Sequence, residues 1–78
     1  MRMTLKLSRV GMNMEEATIV KWHKQPGQAF KAGEPLYEIE TEKVNQEIAA
    51  TLDGRMVEIY AREGEIVKVG GQICAVDL

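Results

Sequence analysis

One serine (Ser8), one histidine (His23) and one cysteine (Cys74) are all that this chain offers toward the common nucleophile and base chemistries. A Ser- or Cys-based hydrolase needs nucleophile, base and orienting acid in contact, and here each side chain exists in a single copy. A zinc site of the usual His/Cys type needs more ligands than these, and a lone cysteine excludes an internal disulfide. What remains is a lysine, Lys43, in an unusual setting. If Glu42 and Lys43 form a two-residue hairpin loop, then 41 pairs with 44, 39 with 46 and 37 with 48, and paired residues share a face. One face becomes Tyr37, Ile39, Thr41, Val44, Gln46 and Ile48; the other becomes Glu38, Glu40, Asn45 and Glu47. A slip of one residue destroys this sorting. Two-residue hairpins strongly favour Asn-Gly, Asp-Gly or another pair tolerant of positive φ, and Glu-Lys is not such a pair. A place where local turn chemistry loses is a candidate for function. By local physics alone the plainer account is favoured: a solvated lysine on a type I turn, which accepts most residues.

The elements that hold this tip are strands. Leu5-Lys6-Leu7, Ile19-Val20-Lys21-Trp22 and Met56-Val57-Glu58-Ile59-Tyr60 are short and β-rich, glycines and prolines punctuate them at short intervals, and helical periodicity is nowhere sustained. Sliding the chain against itself by 37 positions lays 18–40 on 55–77. Val20 then meets Val57, Gly27 meets Gly64, Lys31 meets Lys68 and Gly33 meets Gly70; Ile19/Met56, Phe30/Val67, Leu36/Ile73, Ile39/Val76 and Glu40/Asp77 keep their character. Neither copy can bury an apolar face alone. The economical arrangement pairs them about a pseudo-twofold axis, giving an all-β flattened barrel or sandwich of two four-stranded antiparallel sheets, with residues 1–78 as one domain. The same shift carries the strand before the tip onto Gly71–Leu78 and the strand after it back onto Leu7 and its neighbours. The two termini are therefore expected to pair side by side at the pole opposite Lys43.

Ten Lys and Arg against twelve Asp and Glu, a net charge of -2, leave no basic stripe for a phosphate backbone, so nucleic acid is not an expected partner. No apolar window approaches the roughly 18 residues of a membrane span, and the start of the chain does not read as a signal peptide. A reduced, unexported compartment, cytoplasmic or mitochondrial-matrix, is the expectation. Trp22 reads as a core anchor, Cys74 as a small apolar wall residue, and His23 as facing solvent at a strand end.

The run Gly11-Met12-Asn13-Met14-Glu15-Glu16-Ala17-Thr18-Ile19-Val20-Lys21-Trp22, with Pro26-Gly27-Gln28, Gly33-Glu34-Pro35-Leu36, Glu38-Ile39-Glu40-Thr41-Glu42-Lys43-Val44, Asp53-Gly54, Glu63-Gly64-Glu65 and Val69-Gly70, resembles the biotinyl/lipoyl-attachment family. It is most similar to the lipoyl domains of the acyltransferase (E2) component of 2-oxo acid dehydrogenase complexes, over nearly the whole chain. The resemblance implies that Lys43 carries lipoic acid in amide linkage, with Glu42 and Val44 read by the modifying enzyme, a lipoate ligase or octanoyltransferase. Biotin carriers of this fold usually place Met on both sides of the lysine, so Glu42 and Val44 favour lipoyl. Family lipoyl domains more often have Asp before the lysine, and Gln25-Pro26-Gly27-Gln28 replaces a usually acidic turn; both are departures.

The implied role is that of a non-catalytic carrier, expected to be monomeric by itself. Its swinging arm visits a thiamine-dependent E1 decarboxylase, the E2 acyltransferase core and the E3 dihydrolipoyl dehydrogenase, with acetoin-type complexes included. In the family the loop after the first strand lies beside the lipoyl-lysine and helps E1 recognise the domain, which points to Met12, Asn13, Met14, Glu15 and Glu16. One of those methionines is equally expected to fold into the core edge. Glu40, with Glu38, Glu42 and Glu47, gives acidic surroundings suited to basic partner surfaces, or merely to solubility. A biotin carrier, or an unmodified adaptor reusing the barrel, are the alternatives.

Overall fold

The computed structural model describes residues 1–11, 13–42 and 44–78. Its eight strands are β1 (Arg2–Lys6), β2 (Glu16–Trp22), β3 (Ala29–Phe30), β4 (Pro35–Glu40), β5 (Asn45–Ala49), β6 (Gly54–Ile59), β7 (Ile66–Lys68) and β8 (Gln72–Asp77). They form two antiparallel four-stranded sheets, β1-β8-β6-β3 and β5-β4-β2-β7. No helix occurs among the described residues.

The internal repeat is visible in every layer of this arrangement. The shift of 37 carries β2 onto β6, β3 onto β7 and β4 onto β8. It also relates two irregularities, the register slip between Ile19 and Lys21 in β2 and that between Met56 and Glu58 in β6. Each copy gives one short strand to the other copy's sheet, because β3 pairs with β6 and β7 with β2. The turns interlock in the same way: Gly27 N–H donates to the Met56 carbonyl (2.8 Å), and Gly64 N–H to the Ile19 carbonyl (2.7 Å). Both glycines sit at positive φ, 93° and 92°, which explains why the two symmetry-related turns each carry glycine there.

Between the sheets lies one apolar core. The symmetry-related pairs Ile19/Met56, Phe30/Val67, Leu36/Ile73 and Ile39/Val76 are all buried there. Trp22 is buried as expected; its Nε1 donates to the Ala61 carbonyl at 2.8 Å, and its ring lies 5.0 Å from that of Tyr37. Cys74 is wholly buried, and burial pushes its thiol up to about 12. Burial, followed by the charge of the Cys74 thiolate, likewise raises the Tyr37 hydroxyl to about 12.

Two expectations need correction. His23 is half-buried, with Nε2 3.3 Å from Glu38 Oε1 and 3.5 Å from Glu47 Oε2, because its strand runs beside β4 and the cross-strand carboxylates reach it. The strand leaving the tip does not correspond to Leu7 and its neighbours. It corresponds to β1: Asn45 pairs with Glu40 as Arg2 pairs with Asp77, an offset of 43. Leu7 matches Ala50, since Leu7 N–H and Gly70 N–H bond across to Gly71 and Leu7 as Ala50 and Gly33 do to Glu34 and Ala50. The offset changes because ten residues (7–16) separate Lys6 from Ala17, against four (50–53) between their counterparts Ala49 and Gly54.

The expected meeting of the termini holds. Leu78 N–H donates to the Met1 carbonyl (2.8 Å), standing where Thr41 N–H donates to Val44 (2.9 Å) in the other copy. Leu78 shares an apolar cleft with Ala50, Thr51 and Leu52, at the end of β5 away from Val44. Six residues of extended chain separate Val44 from Ala50, roughly 20 Å, in a molecule 32 Å long.

Candidate functional site

The β4–β5 hairpin forms in the register that its apolar and polar residues dictate. Tyr37 pairs with Ile48, Glu38 with Glu47, Ile39 with Gln46 and Glu40 with Asn45. Thr41 and Val44 close its end: Thr41 N–H donates to the Val44 carbonyl, and Val44 N–H to Thr41 Oγ1 at 3.3 Å. Glu42 does not have a positive φ, so the loop's first residue does not take the mirror-image turn conformation that would have demanded Asn or Gly. The hydroxyl of Thr41 supplies closure instead. Lys43, the residue singled out at this tip, lies outside the described residues, as does Met12.

The flanking positions are open to solvent. Glu40 and Glu42 are exposed, and Val44 is 52% exposed although it continues the apolar face of the hairpin. The core ends one pair earlier, at Ile39, so Val44 presents an aliphatic side chain at the rim.

Residues 13–16 of the ten-residue segment 7–16, which is longer than its four-residue counterpart 50–53, come to this tip. Asn13, Met14, Glu15 and Glu16 face Thr41, Glu42 and Val44 across a shared groove. Its anchoring is local and specific. Met14 N–H donates to the Gly11 carbonyl (3.1 Å), tightening a turn, and Val69 N–H donates to the Glu15 carbonyl (2.9 Å), tying the segment to the end of β7. Met14 is 8% exposed and belongs to the core cluster. Its expected role as a contact surface is therefore corrected: the thioether fills the core edge and fixes the loop. Asn13, Glu15 and Glu16 remain exposed.

The groove thus brings together three of the carboxylates near the tip, Glu15, Glu16 and Glu42. Glu38 and Glu47, expected to add to this acidic field, instead lie on the outer face of the hairpin against His23. Sequence reasoning missed that His23 cluster; the signal was present, because the register that pairs 38 with 47 sets two like charges opposite each other and calls for a neighbour. Among the described residues, carboxylates are the only ionisable groups that line the groove. Its chemistry is that of an acidic, partly apolar surface beside the Thr41–Val44 closure.

A family model described as "Biotin-requiring enzyme" matches residues 3–76. The succinyltransferase component of the 2-oxoglutarate dehydrogenase complex of Bartonella vinsonii is 38% identical over 73 residues, 94% of this chain and 18% of that protein. The acetyltransferase component of the pyruvate dehydrogenase complex of Acholeplasma laidlawii is 38% identical over 72 residues, 92% of this chain and 13% of its own length. The chain therefore spans less than a fifth of the curated relatives it matches. The solution structure of the lipoyl domain of the Azotobacter vinelandii 2-oxoglutarate dehydrogenase complex superposes with a TM-score of 0.80 at 33% identity, covering 96% of this chain and 95% of that one.

Proposed function

This chain belongs to the biotin/lipoyl-attachment family and is a lipoyl domain of the acyltransferase (E2) type, and from that premise we propose that Lys43 carries lipoic acid in amide linkage as a swinging arm. The observation that carries this reading is the Thr41–Val44 closure, with exposed residues on both sides and a lengthened loop beside it. The Thr41–Val44 end of the hairpin lies away from the paired chain termini.

The dithiolane supplies the acyl- and electron-carrying chemistry when attached. The residues of this chain do three other things. The strands of the hairpin fix the attachment point, so that the arm sweeps a defined volume. Glu42 and Val44 offer the modifying lipoate ligase or octanoyltransferase a short motif. Asn13, Glu15, Glu16 and Glu40 give E1 an acidic surface to recognise. Tethering then raises the arm's effective concentration at the E1, E2-core and E3 sites to the millimolar range typical of short linkers. The domain itself is non-catalytic, and its place is with such a complex in the cytoplasm or mitochondrial matrix.

Intact-mass analysis of the chain from a lipoate-supplied host tests the reading. A lipoyl-sized increase is expected, absent in Lys43→Arg while the thermal transition is unchanged. No adduct despite competent lipoylation machinery overturns it, and a biotin-sized increase replaces it with a biotin carrier.

A further inference from the structure

We propose that His23, Glu38 and Glu47 form a binding site for a divalent transition-metal ion of the zinc class on the outer face of the lipoyl hairpin. The three residues come from adjacent segments, His23 directly after β2, Glu38 from β4 and Glu47 from β5. Their ligand atoms all lie within 4.8 Å of one another.

Three observations point to a cation. Glu38 and Glu47 are direct register partners, so two carboxylates stand opposite each other on one face, a destabilising pairing unless a positive charge lies between them. One atom, His23 Nε2, faces both, at 3.3 Å from Glu38 Oε1 and 3.5 Å from Glu47 Oε2. A single N–H can point well at only one of them, whereas an ion at the centre meets all three. The two His23 spacings also match ligand-to-ligand separations in a tetrahedral zinc site, which bond lengths of about 2.0–2.1 Å put at roughly 3.3–3.4 Å, while the two carboxylates lie within 4.8 Å of each other. Neither Lys24 nor Lys21 substitutes for it. Lys24 is drawn to Glu34 (3.6 Å), and Lys21, the register partner of Glu38, makes no ion pair with it among the described residues.

One nitrogen and two carboxylate oxygens leave a fourth position for water, since Glu47 is 59% exposed at the side chain. The donor set suits zinc, whereas magnesium and calcium prefer oxygen-only shells. A bound ion ties the residue that follows β2 to β4 and the edge strand β5, stiffening the hairpin.

Calorimetric titration of the unlipoylated chain with Zn²⁺ tests this, since that form lacks the competing dithiol. Expected are one saturable site, a shift of the His23 ring resonances with the same midpoint, and no comparable effect of Mg²⁺. His23→Gln and Glu38→Gln each weaken binding at least tenfold, and Glu15→Gln leaves it unchanged. Glu47→Gln, at an exposed position, decides the matter should the His23 variant fail to fold. Absence of saturable binding, equal affinity for Mg²⁺, or affinity untouched by both His23→Gln and Glu47→Gln overturns the proposal.

Discussion

Burial sets the behaviour of Cys74 and Tyr37, whose groups are both raised to about 12 against 9.0 and 10.0 in the unfolded chain. Below pH 9 both states hold their protons, so this contribution to stability is complete. Above it the unfolded chain releases protons that the folded chain keeps, and stability is lost as pH rises from about 9 toward 12. Urea unfolding at pH 8 and pH 10.5 is expected to differ by about 2–3 kcal/mol; Cys74→Ala flattens most of the difference, and an equal slope in the variant counts against burial as the cause. Native Cys74 is expected to resist alkylation until the chain unfolds. On the surface, Glu15→Gln with Glu16→Gln leaves lipoylation intact and slows reductive acylation by the cognate E1 several-fold, an effect that shrinks at high salt. Lys43 and the carboxylates near it were legible as residues. Met14 as a core side chain was not, because sequence does not say which of two methionines in one loop turns inward.

The elements are linked by two devices, close strand approach and one lengthened connection. A Cβ at Gly54 would lie 2.6 Å from the Asp77 carbonyl oxygen and 2.9 Å from the Phe30 ring, so β6 can pass between β8 and β3 only with no side chain there. Gly54→Ala is expected to cost about 2–3 kcal/mol in denaturant unfolding, whereas Gly11→Ala, which meets nothing within 4 Å, changes stability by less than about 0.5 kcal/mol. The second device is segment 7–16. Its four-residue counterpart 50–53 shows that the same strand geometry closes without the extra length. Grafting residues 50–53 in place of 7–16 is therefore expected to give a chain that still melts cooperatively and is still lipoylated, but is acylated by E1 at least tenfold more slowly. Unchanged acylation would show that the groove beside the tip is not read. The hairpin register could be derived from apolar-polar alternation, because a one-residue slip exposes Ile39. The correspondence of β5 with β1 could not, since the shift of 37 continues correctly only until the lengthened loop interrupts it.

For the molecule as a whole, the two copies are obligate partners. Each sheet contains a strand from the other half, and the turn glycines hydrogen-bond across the dyad. Peptides 1–42 and 44–78 alone are expected to lack β-sheet circular dichroism, a folded spectrum from either one refuting the interdependence. Ile39→Ala and Val76→Ala, at equivalent buried positions, should each cost about 2–4 kcal/mol, and within about 1 kcal/mol of each other if the dyad extends to the core energetics. By itself the sequence determined the all-β class, the two-copy architecture and the hairpin register, because these follow from alternation and repetition along the chain. Tertiary structure alone decided that Met14 is core and that His23 meets Glu38 and Glu47. These are contacts between segments whose separation in sequence carries no periodicity, so only the packing of one sheet edge against its neighbours brings them together.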